Sequence, residues 1–133
     1  MTRAREALTG NCTLALCKGE RLYTSDRRGV GALLALVEEK ESLQGFSAAD
    51  KVVGKGAAFL YLLLGVTHLY AKVISQSALE VLQEAGVAVI YDTLAPRIVN
   101  RRGDGFCPIE SAVLTCTDPH EALICIKERL KEL

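Results

Sequence analysis

Two apolar runs, His68-Leu69-Tyr70-Ala71-Lys72-Val73-Ile74 and Val87-Ala88-Val89-Ile90-Tyr91, enclose a segment of helical spacing, Ser75 to Ala85, that ends at Gly86. No other feature narrows the fold as much. A strand, a helix and a strand in that order make a βαβ unit, because two parallel strands need a helix-length crossover and glycine turns the chain out of a helix most cheaply. A parallel pair needs helices to cover it, which places the chain in the α/β class.

The flanking segments fit that class. Thr13 to Cys17 and Arg21 to Ser25, joined by Lys18-Gly19-Glu20, read as an antiparallel hairpin. Gly29 and Gly31 end this sheet segment, and Val30, Leu33, Leu34 and Val37 recur at helical spacing before the charged Glu38-Glu39-Lys40-Glu41. Ser47-Ala48-Ala49-Asp50 has the spacing of a capping box, so a nearly all-apolar helix is expected from Ser47 to Leu64. Gly54 and Gly56 each cost such a helix about 1 kcal/mol relative to alanine, and close packing is the reason expected for them. Cys107-Pro108 reads as the cap and first residue of a further helix, and Asp118-Pro119-His120-Glu121 opens the last one. The expected order is hairpin, helix, helix, strand, helix, strand, helix, helix: a three-layer α/β/α sandwich that opens with an antiparallel hairpin. At 133 residues, half of them apolar, the chain buries roughly two-thirds of its unfolded surface as one domain spanning 1–133.

Charge excludes some partners. Sixteen Lys and Arg balance sixteen Asp and Glu, so no net field draws the molecule to nucleic acid or an anionic membrane, and any anion binding must be local. The longest apolar run, Gly56 to Val66, is about half of a bilayer span. The charged start at Met1 to Gly10 lacks the apolar core of a signal peptide, so a cytoplasmic location is expected. The five cysteines, 12, 17, 107, 116 and 125, form no CxxC pair, and only His68 and His120 could join them; reduced, mostly buried thiols are expected, with no metal and no cofactor.

Chemistry concentrates in Asn100-Arg101-Arg102-Gly103-Asp104-Gly105-Phe106-Cys107-Pro108-Ile109-Glu110. Gly103 and Gly105 let backbone approach a ligand, and the two guanidiniums suit a phosphate or carboxylate. The pattern is neither a dinucleotide fingerprint nor a P-loop.

This segment, with Asp50-Lys51-Val52-Val53-Gly54-Lys55 and Tyr70-Ala71-Lys72-Val73-Ile74-Ser75, resembles an uncharacterised prokaryotic family of domains of unknown function. The resemblance implies a cytidine-deaminase-like fold and a homodimer. It does not imply deamination, because the zinc-ligand and glutamate motif at one helix start and Pro-Cys-x-x-Cys at the next are both missing. In their places stand Val53-Gly54-Lys55 and Ser75-Gln76-Ser77-Ala78-Leu79-Glu80.

In a deaminase-like arrangement two helix N-termini converge on one pocket, and their amides and dipoles attract anions. The leading expectation is a small anionic metabolite or nucleotide held by Lys51, Lys55, Ser75, Ser77, Arg101, Arg102, Glu110 and the glycine loop, with Asp50, Asn100 or Asp104 bonding a ribose or base. The bland alternatives are a solvated helix face for the lysines, a surface turn for the arginines and a helix-dipole role for Asp50. A second reading makes Cys107 a nucleophile for sulfur or acyl transfer, activated by a helix N-terminus beside arginines. A third makes the domain an inactive protein-interaction module.

Overall fold

The computed structural model describes residues 2–27, 30–99, 103 and 105–132. In chain order its elements are α1 (Thr2–Ala7), β1 (Leu14–Lys18), β2 (Arg21–Ser25), α2 (Gly31–Glu38), β3 (Ser47–Val53), α3 (Lys55–Leu64), β4 (His68–Ser75), α4 (Gln76–Glu84), β5 (Ala88–Ala95), α5 (Pro108–Ala112) and α6 (Pro119–Glu132). The protein is mixed α/β, with a five-stranded sheet and, among the described residues, six helices. Among the described residues no helix is long and apolar enough to cross a membrane.

The strand order is β2-β1-β3-β4-β5. The opening hairpin pairs Leu16 with Tyr23, and β1 also runs antiparallel to β3, with Leu16 opposite Ala48. From β3 onward pairing is parallel: Ala49 meets Tyr70 and Tyr70 meets Ile90. The βαβ unit read from the sequence is therefore β4-α4-β5, and Gly86, at φ +82°, takes the left-handed conformation just past α4.

One expected element is wrong. Ser47 to Val53 form a central strand, hydrogen-bonded on one side to β1 and on the other to β4, and the helix starts only at Lys55. The Ser-x-x-Asp spacing imitates a capping box, but seven residues of backbone between two strands gain ladder bonds on both sides, and short alanine-rich stretches carry no periodicity of their own. Asp50 and Lys51 are therefore strand residues, not helix-start residues. The N-terminal helix α1 had no counterpart in the expected order.

The two faces of the sheet are covered unequally. Leu14, Leu16, Ala48, Leu69 and Ala71 join the large core formed with α2 through α6, while Ala15, Cys17, Ala49 and Tyr70 face Ala4 of α1. Helix α1 is short and is fastened by side chains. The Arg5 guanidinium stacks 4.2 Å from the Tyr70 ring centre and lies 3.5 Å from Asp92, to which the Tyr70 hydroxyl donates at 2.5 Å.

Helix α3 is the centre of the large core. Phe59, Leu60, Tyr61 and Leu64 are buried, and each buried large apolar side chain contributes about 1.5–3 kcal/mol. Gly56 explains itself by close approach: a Cβ there would stand 2.8 Å from Ile109 Cγ2 of α5. Gly56→Ala is expected to lower stability by about 1–3 kcal/mol through overpacking, despite the gain in helix propensity. Urea unfolding checks this, and a variant as stable as the parent contradicts it.

Candidate functional site

Strands β3 and β4 are parallel neighbours, each followed at once by a helix, so α3 and α4 begin side by side at the same end of the sheet. Gly54 caps α3 in extended conformation, and Ser75, the last residue of β4, caps α4 by accepting from Ala78 N at 3.2 Å. Into this corner projects Glu110, 1% exposed, from the first turn of α5. Its Oε2 accepts from Lys55 N at 2.8 Å and from the Ser75 hydroxyl at 2.5 Å, with Ser77 Oγ at 3.5 Å; its Oε1 accepts from Ile98 N at 2.8 Å.

Every partner of Glu110 is a donor, which is the complement that an acceptor-only carboxylate needs. Lys55 is the first residue of α3, so its N–H has no acceptor within the helix, and Glu110 satisfies it. A single side chain thus closes the orphan donor of one helix, bonds the cap of the other and holds Ile98 in the segment after β5. Gly54 belongs to the same arrangement, since a Cβ there would lie 3.1 Å from Glu110 Oε2 and 3.3 Å from Ile98 Cγ1.

The segment from Pro96 to Cys107 is rooted on that carboxylate. Cys107 N donates to Ile98 O at 2.8 Å, and Val99 and Phe106 form an antiparallel bridge. Arg97 was not singled out from sequence, yet its guanidinium stacks 3.9 Å from the Phe106 ring centre and donates to Ser111 Oγ at 2.8 Å, while its buried Nε has no partner among the described residues.

The structure brings together Lys55, Ser75, Ser77 and Glu110. It does not bring Asp50 or Lys51 into that group. Lys51 Nζ reaches Gly10 O at 2.5 Å, and the Asp50 carboxyl receives the Tyr61 hydroxyl at 2.6 Å and Val52 N at 3.3 Å. Both belong to β3, and the strand's alternation sends Lys51 away from Asp50's side. The Lys55 ammonium is also engaged, donating to Leu114 O at 2.6 Å. Gly103, at φ +75°, and Gly105 stand between Val99 and Phe106 in sequence. Asn100, Arg101, Arg102 and Asp104 lie outside the described residues. Cys107 caps α5 without a side-chain hydrogen bond and packs half-buried against the core, and no base among the described residues bonds its thiol. No described group of three or more His, Cys, Asp or Glu side chains is placed to hold a metal ion.

Asp50 has an unusual environment of its own. The residue as a whole is half-buried, but its carboxyl lies against the fully buried Tyr61, and burial raises its pKa from 3.8 to about 7 against the opposing pull of the Tyr61 and Val52 hydrogen bonds. Burial and the neighbouring Asp50 likewise hold the Tyr61 hydroxyl well above its ordinary range.

The fold and site define a mixed α/β domain whose paired helix starts are locked by an internal carboxylate. Residues 4–130 match the family described as a domain of unknown function, DUF1893, and the chain belongs to that family. It is similar to the crystal structure of a DUF1893 family protein from Thermotoga maritima, with 32% identity, a TM-score of 0.81, and coverage of 92% of this chain and 82% of that one. No curated protein matches the chain.

Two outcomes test the site. Glu110→Ala is expected to cost about 3–5 kcal/mol in urea unfolding, because it leaves buried donors unpaired. A loss below about 1 kcal/mol contradicts the arrangement. For Asp50 the folded state binds the proton more tightly than the unfolded chain, so its contribution to stability falls as pH rises from about 4 to about 7. Asp50→Asn is expected to flatten that fall; identical pH profiles for parent and variant contradict it.

Proposed function

We propose that this chain is a cytidine-deaminase-like domain without zinc chemistry that binds a small anionic metabolite or nucleotide at the carboxyl ends of β3, β4 and β5. One observation carries the reading: Glu110 ties the loop rooted at residues 98 to 107 to the starts of α3 and α4. The carboxyl ends of parallel strands are the usual binding edge of an open α/β sheet. In sequence Arg101 and Arg102 stand between Val99 and Phe106, two residues that bridge one another after β5.

The strand order and the helix starts at Gly54-Lys55 and Ser75-Gln76 support the deaminase-like part, with α1 as the thin layer on the second face. Lys55 and Glu110 are engaged within the protein. In this reading they shape the pocket wall and leave the ligand's charge to the guanidiniums.

A specific observation favours self-association as a second activity. Among the described residues strand β5 pairs only with β4, and Ile90 and Leu94 on it are 53% and 39% exposed. A second copy adding its own β5 to that edge would give the homodimer.

Native mass spectrometry of freshly purified protein reads both. The expected result is a dimer carrying a phosphate-bearing mass, with a thermal midpoint raised by millimolar nucleoside phosphates or inorganic phosphate in the parent but not in the double variant Arg101→Ala, Arg102→Ala. A bare chain whose midpoint moves with none of these probes contradicts ligand binding, and a monomer at every concentration contradicts the dimer.

A further inference from the structure

Cys116 lies in the turn between α5 and α6, and Cys125 lies within α6. Their sulfurs are 3.7 Å apart, in direct contact. A disulfide needs about 2.05 Å between sulfurs, so bond formation requires the pair to close by side-chain rotation or a shift of the turn. Cys116 borders a cleft of about 320 Å³ lined also by Lys55, Phe59, Ser77, Glu80 and Thr117, while Cys125 is the more exposed of the two thiols. Small oxidants therefore have a route to the pair.

We propose that Cys116 and Cys125 form a reversible thiol–disulfide pair that responds to peroxide and clamps the α5–α6 turn. The Cys125 thiolate attacks a peroxide oxygen, the O–O bond breaks, and the departing hydroxide takes a proton to leave as water. The sulfur of Cys116 then attacks the sulfenic sulfur of Cys125. The S–S bond forms, the S–O bond breaks, and the hydroxide leaves with the Cys116 proton as a second water. Two thiols lose two electrons, and one hydrogen peroxide is reduced to two waters. The order follows from burial, which pushes the Cys116 thiol up to about 11 and keeps its proton in place until the second step.

The clamp acts near the site. Leu114 O, two residues before Cys116, holds the Lys55 ammonium at 2.6 Å. Linking Cys116 to α6 fixes that turn, and with it the contact to the start of α3. From sequence, Cys116 and Cys125 read as buried, reduced thiols in apolar surroundings, since the nine-residue step between them is not a metal-ligand or redox-motif spacing.

The test uses the full chain, fully reduced and then exposed to a few equivalents of hydrogen peroxide. Free thiols are counted under denaturing conditions and linked peptides are mapped. The expected count falls from five to three, with Cys116 joined to Cys125, a rise in thermal midpoint, and full reversal by dithiothreitol. Cys107→Ser is expected to retain the linkage and Cys125→Ser to lose it. Five thiols surviving the treatment, a different pairing, or linkage only between molecules would overturn the proposal.

Discussion

The Glu110 carboxylate is the interaction on which the remaining structure turns. Two helices that begin side by side at a sheet edge present unpaired N–H groups and the positive ends of two dipoles, and a folded chain cannot leave that corner empty of acceptors. Many proteins leave such a corner to a ligand; this one fills it from within. The side chain comes from α5, about fifty residues beyond α3 in sequence, so a local electrostatic need becomes a long-range constraint. It fixes where α5 starts, and through Ile98 and Cys107 N it fixes the root of the loop that follows β5.

Packing around α3 makes the corner rigid enough for this to matter. The helix is buried along most of its length, with α2, α4 and α6 against it, and Gly56 admits Ile109 from α5 at a distance no other residue would allow. Gly54 leaves room for the carboxylate itself. The two glycines thus have separate duties, one apolar and one polar, and both are directed at α5. Beneath the helix, Tyr61 and Asp50 tie α3 back to the central strand, so α3 is held from both its sheet side and its N-terminal side.

Much of the architecture was legible where periodicity was strong. The hairpin, the β4-α4-β5 unit, the short helix after Cys107 and the last helix all stand where apolar spacing and caps put them. Strand β3 did not, because Ser47-Ala48-Ala49-Asp50 satisfies a helix-start pattern locally while its pairing with β1 and β4 depends on residues far away. Displacing that helix start moved Asp50 and Lys51 out of the expected pocket. Lys55, Ser75, Ser77 and Glu110 do lie together, since each belongs to a helix start. The glutamate is the acceptor and the others are donors. The one available signal in the sequence was a glutamate two residues after Pro108, in the first turn of the helix that Cys107-Pro108 opens.

Amide hydrogen exchange tests the central claim most directly. The first N–H of a helix ordinarily exchanges fast, and so does an N–H in irregular backbone. If Glu110 holds both, the amides of Lys55 and Ile98 exchange slowly and together in the parent chain, at rates approaching those of the sheet core, and both lose protection in Glu110→Gln. Fast exchange at Lys55 and Ile98 in the parent, with the rest of α3 protected, would contradict the account.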